Sequence, residues 1–184
     1  HDYHNHIQAA GSYLELGKYE ELAVYLKELD ESLYEIDQII KTGNLMADAI
    51  LNSKLSLMRE YQIRTEVTAH VPAQMRITDT ELCVLLGNLL DNAIEACQRV
   101  SEEEGRFIRI YMDTLQEQFY ISVMNGMQGR AVRYGELFQS TKRGAGVHGF
   151  GLQRVDRIVR KYGGFLDRQS EDGVFATEVL LPIR

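Results

Sequence analysis

The chain has 184 residues, 45% of them apolar and 26% charged, enough to bury a core in one or two domains. Its formal net charge of −7 argues against nonspecific nucleic-acid binding, which draws on a basic surface, yet leaves room for a nucleotide held by a local cluster of donors. Two prolines and the lack of a low-complexity run argue against disorder, and no run of about 18 apolar residues suggests a membrane span. The chain shows no secretory leader and opens in mid-helix at HDYHNHI, which reads as a fragment of a longer protein.

Tyr3, Ile7, Ala10 and Leu14 recur at spacings of 4, 3 and 4, which predicts an amphipathic helix over 1–16 stopped by Gly17. Leu22, Leu26, Leu29, Leu33, Ile36 and Ile40 continue the alternation over 19–41. Such a seam asks for a partner helix, so the two helices read as an antiparallel hairpin. A hairpin has too little core alone, and a homodimer forming a four-helix bundle would cover it. Thr42-Gly43-Asn44 breaks the run and suggests two domains, 1–42 and 43–184.

A third helix is expected over 44–61, with Leu45, Ala49, Leu55 and Met58, followed by a strand over 63–70. Thr78 to Val100 reads as a long helix, with Thr78 or Asp79 as N-cap and Glu81 in the first turn. Cys83 and Cys97 fall on that helix, roughly 21 Å apart along its axis, too far for a disulfide. A reducing compartment fits, and no metal-ligand spacing is present. Residues 106–114 and 118–125 alternate as strands joined by a short turn. Residues 126–148 hold five glycines and little periodicity, which reads as a long, mobile, functional loop. A helix is expected over 149–162, then strands 163–169 and 173–182 around Glu171-Asp172-Gly173, with Pro182 closing the hairpin.

Four motifs carry chemistry. In NLLDNAIEA (88–96), Asn88, Asn92 and Glu95 share one helix face with Asp91 beside them. Two amides and two carboxylates there suit a hydrated Mg²⁺ on a triphosphate, because Mg²⁺ keeps waters and takes few protein oxygens. A solvated polar face is the plain alternative. HGFGL (148–152) opens a helix, where glycines allow close approach and free N–H groups favour a phosphate. By itself a GxG is also an ordinary loop-to-helix turn; the preceding GELFQSTKRGAGV adds Lys142 and Arg143, which could reach phosphate oxygens. His1 is followed by Asp2, with Asn5 one turn on. A carboxylate on one ring nitrogen fixes the tautomer and makes the other a better nucleophile. ISVMNG (121–126) ends an apolar strand in Asn125, placed either to read an adenine edge or simply to turn the chain.

The order of these motifs resembles the sensor histidine kinases, whose ATP-binding domain belongs to the GHKL superfamily. The HDxxNH opening and the TK…HGxGL closing look most like the peptide-pheromone receptor kinases of Gram-positive bacteria, a quorum-sensing group. The resemblance covers nearly the whole chain. It implies an α+β fold, with an N-terminal helical hairpin that dimerises and carries the phosphoacceptor, followed by a two-layer α/β sandwich of the GHKL or Bergerat type.

By that resemblance the chain binds ATP and Mg²⁺, phosphorylates His1 and passes the phosphoryl group to an aspartate of a response regulator. His1 would accept the phosphoryl group, Asp2 would activate it, and Asn5 would serve dephosphorylation of the regulator. Asn92 would hold Mg²⁺ and Asn88 would stand beside the phosphates. Asp91, Asn125, Thr141, Lys142, His148, Gly149, Gly151 and Leu152 complete the implied nucleotide site, with Phe138 in the lid region. No direct nucleic-acid contact is implied. The chain would be the cytoplasmic region of an integral membrane protein, tied to the membrane through an absent N-terminal sensor region.

Two departures matter. The family's adenine motif is DxGxG, whereas Asn125-Gly126-Met127-Gln128-Gly129 stands here. An amide accepts only through its carbonyl, so weaker nucleotide affinity is expected. Glu95 stands where many relatives carry a basic residue, and its role is open. Two rivals follow. A GHKL ATPase clamp would need a water-activating acid where Asn88 stands, and an amide is a poor base. A degenerate nucleotide-binding module, acting as a regulator-docking protein or phosphatase, is kept alive by the altered adenine motif.

Overall fold

The computed structural model describes residues 2–29, 40–131, 133–134, 137–138 and 150–184. The chain divides into two compact units, residues 1–37 and 38–184. Among the described residues, no helix is long and apolar enough to cross a membrane.

The first unit holds α1 (Asp2–Glu15) and α2 (Tyr19–Leu29). Gly17 ends α1 as expected: its φ of +65° lets its own N–H reach the Leu14 carbonyl and that of Lys18 reach the Tyr13 carbonyl. The two helices meet through Leu22, which is buried, and through Tyr25, whose hydroxyl lies 2.8 Å from His6 Nδ1 and whose ring stands 5.6 Å from that of Tyr13. Ile7, Leu14, Leu26 and Leu29 of the expected seam remain exposed. The remainder of the second predicted helix, from residue 30 to 39, lies outside the described residues.

The second unit opens with residues 40–44 stitched to α3 (Leu45–Glu60). Asn52 of α3 bonds both the N–H and the carbonyl of Ile40, and Asp48 accepts from the Thr42 N–H and hydroxyl, each at 2.7 Å. Asn44 caps the helix, accepting from the N–H groups of Met46 and Ala47. There follow β1 (Arg64–Ala69), α4 (Asp79–Gln98), a short 3₁₀ turn at Glu103–Gly105, β2 (Phe107–Leu115) and β3 (Gln118–Gly126). After these come β4 (Arg133–Tyr134), β5 (Leu137–Phe138), α5 (Phe150–Lys161), β6 (Phe165–Glu171) and β7 (Val174–Pro182).

Five strands form one sheet in the order β1-β2-β3-β7-β6. β1 and β2 are parallel, as the intervening α4 requires, and the other pairs are antiparallel hairpin or return connections. Ile110 faces Val123, and Asn125 at the end of β3 faces Phe175 of β7. Alternate residues of β2, β3 and β7, including Ile108, Met112, Phe119, Ile121, Val179 and Leu181, point to a single buried face. There they meet Leu51 and Met58 of α3, the apolar stripe of α4 and Val155 of α5. The fold is therefore the expected mixed α+β arrangement, helices then a sheet with helices on one face. One local expectation is corrected. The stretch read as structureless over 126–148 contains β4 and β5, which pair with each other through Arg133–Phe138 and Tyr134–Leu137. Two-residue strands are too short to display an alternation.

Candidate nucleotide-binding site

α4 is the platform. Thr78 caps it, accepting from the Glu81 N–H at 3.2 Å. Leu82, Leu85, Leu86, Leu89, Leu90, Ala93, Ile94 and Cys97 are buried on its core side, which turns Asn88, Asp91, Asn92 and Glu95, all half-buried, to the opposite face. Glu81 then ties the start of α4 to the end of α5. It accepts from Lys161 Nζ at 2.7 Å, from the Tyr162 hydroxyl and from the Thr78 hydroxyl. The Lys161 bond, with help from Tyr162, holds the Glu81 carboxyl below the usual carboxylate range, and Glu81 in turn raises the Lys161 ammonium.

That tie helps to bring the first turn of α5 against the amides of α4. A Cβ placed on Gly151 would lie 3.0 Å from Asn88 Oδ1 and 3.7 Å from Asn92 Oδ1. Only a residue without a side chain leaves this cradle open. Asn88 is oriented by its own Nδ2, which donates to the Val84 carbonyl at 2.6 Å and leaves Oδ1 toward Gly151. Asn92 Nδ2 is buried and has no hydrogen-bond partner. A buried amide left unbonded is costly, and a phosphate oxygen or bound water would satisfy it. Asp91 instead pairs with Lys54 of α3 at 2.5 Å.

Asn125 is 3% exposed at the end of β3, and its Nδ2 donates to the Gly126 carbonyl at 2.9 Å. Gly126 sits so tightly that a Cβ would come within 1.8 Å of the Gly105 carbonyl oxygen. The buried Cys97 thiol points to the carbonyls of Phe107 (3.3 Å) and Gly126 (3.5 Å), and burial pushes that thiol up. The segment after Asn125 is sewn to the β6–β7 hairpin: Met127 N–H donates to the Gly173 carbonyl, Gly173 N–H to the Gly129 carbonyl, and Ala131 N–H to Ser170 Oγ.

The structure thus brings Asn88, Asn92 and Gly151 together, with Leu152 half-buried in the same first turn of α5. Asp2 and Asn5 lie on α1, Asn5 exposed. His1, Thr141, Lys142, His148 and Gly149 lie outside the described residues, and of Phe138 only its place in β5 is described. Sequence reasoning missed Lys54, which reaches Asp91 from 37 residues earlier, and the Glu81–Lys161–Tyr162 tie; a contact across such a separation leaves no periodic signal. Both cysteines are free and on α4, as expected.

Among the described residues there is no group of three His, Cys, Asp or Glu side chains able to hold a metal. The donors on the amide face fit an ion carried mainly by phosphates, with a few protein oxygens such as Asn92 Oδ1.

Residues 77–182, more than half the chain, match the GHKL domain family, and the chain belongs to it. Its curated relatives include a sensor protein and a probable C4-dicarboxylate sensor kinase. It is 26% identical to the sensor protein CitS of Bacillus subtilis over 91% of its own length, and it spans only 32% of that protein. The fold is similar to the nucleotide-free catalytic domain of histidine kinase ThkA, at TM-score 0.54 and 18% identity over 75% of this chain and 91% of that one. It is also similar to Acinetobacter baumannii histidine kinase AdeS, at TM-score 0.54 and 12% identity over 100% and 98% of the two chains.

Proposed function

We propose that this chain is the catalytic core of a sensor histidine kinase, with residues 1–42 carrying the phosphoacceptor and residues 43–184 binding Mg-ATP. The observation that carries the reading is the meeting of the Asn88 and Asn92 side-chain oxygens with the bare backbone of Gly151. The triphosphate lies between the amide face of α4 and the first turn of α5, where Gly149 and Gly151 offer backbone approach and the helix start offers positive charge. Asn88 stands beside the phosphates. Lys142, Thr141 and His148 are assigned to the phosphates by sequence motif alone, and Asn125 serves the adenine. Asn92 holds Mg²⁺, which when bound supplies neutralisation of the charge that builds on the phosphoryl oxygens.

A ring nitrogen of His1 attacks the γ-phosphorus in line, and the N–P bond forms as the bond from that phosphorus to the bridging oxygen of ADP breaks. Asp2 holds the other ring nitrogen and stabilises the charged imidazole. The phosphoryl group then passes to a carboxylate oxygen of an aspartate on a response regulator, freeing the His1 ring nitrogen, and Asn5 serves the separate hydrolysis of that aspartyl phosphate, in which water releases inorganic phosphate and restores the carboxylate. The exposed Ile7, Leu14, Leu26 and Leu29 support a homodimer that buries them. The chain is the cytoplasmic region of a membrane receptor. The HDYHNHI and HGFGL motifs point to a peptide-pheromone receptor, a finer assignment that the name of the CitS relative does not support.

The test is incubation with γ-labelled ATP and Mg²⁺. Acid-labile, base-stable label on the wild type, lost in His1→Gln and in Asn92→Ala, is expected; label retained by His1→Gln would refute the reading. A second reading, a degenerate GHKL module that docks or dephosphorylates the regulator, is favoured by Asn125, whose amide is buried and engaged with the Gly126 carbonyl. A wild type that takes no label yet speeds loss of phosphate from the regulator would establish it.

A further inference from the structure

The polar face of α4 presents a problem of charge. Asp91 directly precedes Asn92, and Glu95 lies one turn on, so the face of α4 meant for a triphosphate carries two carboxylates, and α4 itself (Asp79–Gln98) contains no lysine or arginine. A carboxylate beside bound phosphates opposes them, by several-fold in affinity when nothing neutralises it. Lys54 meets this problem from outside the motif. It rises from α3 between the buried Leu51 and Leu55, and its Nζ lies 2.5 Å from Asp91 Oδ1. The lysine is the more covered partner, with 21% of its side chain exposed against 50% for Asp91. Half-exposed pairs of this kind contribute little to folding, so stability is a weak reason for the lysine's presence.

We propose that Lys54 is a positioning residue of the nucleotide site: by engaging Asp91 it cancels and holds aside a carboxylate that would otherwise repel the phosphates held by Asn88 and Asn92. This rests on the nucleotide-binding reading above. The pair also joins α3, which fastens residues 40–44, to the helix that holds the phosphates.

The experiment is calorimetric titration of the full chain with ATP and Mg²⁺, and separately with adenosine, for wild type, Lys54→Met, Lys54→Arg, Asp91→Asn and the Lys54→Met/Asp91→Asn double variant. Thermal unfolding of each is measured alongside. Lys54→Met is expected to weaken ATP about three- to tenfold, with the loss shrinking at high salt, and to leave adenosine unchanged. Lys54→Arg restores ATP affinity, and so does the double variant, because the unneutralised carboxylate is gone. Asp91→Asn alone binds ATP at least as tightly as wild type. ATP affinity unchanged in Lys54→Met overturns the proposal, as does an equal loss for ATP and adenosine with a lowered melting temperature. Asp91→Asn weakening ATP as much as Lys54→Met also overturns it, by giving the carboxylate a direct part. A wild type that binds neither ligand refutes the nucleotide-binding reading itself, and the inference with it.

Discussion

Gly151→Ala separates the site from the fold. Gly151 lies in the first turn of α5 with no left-handed backbone demand, so alanine is sterically admissible in φ and ψ and favours the helix by about 0.5–1 kcal/mol. Against this stands the new methyl, 3.0 Å from Asn88 Oδ1, which must give by a few tenths of an ångström or surrender its bond to the Val84 carbonyl, worth about 1 kcal/mol. The two terms nearly cancel, so the melting temperature should move by no more than about 4 °C. Ligand binding has no such compensation. The methyl fills the space between the amides and the helix start where a phosphate oxygen would lie, and a weakening of at least about tenfold is expected, equivalent to about 1.4 kcal/mol. Thermal unfolding followed by calorimetric titration with ATP and Mg²⁺ measures both. A Gly151→Ala protein that melts like wild type and binds ATP with wild-type affinity would show that the phosphates do not lie in this cradle.

Gly126→Ala should instead destabilise the fold by roughly 2–4 kcal/mol, because its Cβ would overlap the Gly105 carbonyl oxygen at 1.8 Å and backbone must move; urea unfolding checks this. The Glu81–Lys161 tie gives a pH window. The carboxyl is depressed below its ordinary 4.5 in the folded state, so its contribution is present above that pH and fades as the pH falls through the folded value. The ammonium is raised above 10.5, so its part persists until the pH rises through that higher folded value. Glu81→Gln should therefore flatten the acid limb of the stability curve measured by thermal unfolding from pH 3 to 7, and an unchanged limb would refute the assignment.

Much of the second unit was legible because its signals are local. The Thr78 cap, the apolar stripe of α4 and the turn at Glu171-Asp172-Gly173 each follow from residues within a few positions of one another, and they placed α4, β6 and β7 to within two residues. Gly17 was readable as a helix stop for the same reason. The strands β4 and β5 were not, since two residues have no period. NLLDNAIEA displayed its amide face through helical spacing, but nothing in it tells that Asn88 orients its oxygen outward while Asp91 is taken by Lys54.

The sequence by itself determined the longer elements, the side of α4 that is polar and the glycine in the first turn of α5, because periodicity, capping and backbone freedom act over one or two turns of chain. The tertiary structure alone decided that Gly151 faces Asn88 and Asn92, that Lys54 answers Asp91, and that Gly105 leaves Gly126 no room for a side chain. These contacts join residues 21 to 63 positions apart, and such pairings arise only when burial of the shared core fixes how helices and strands lie on one another.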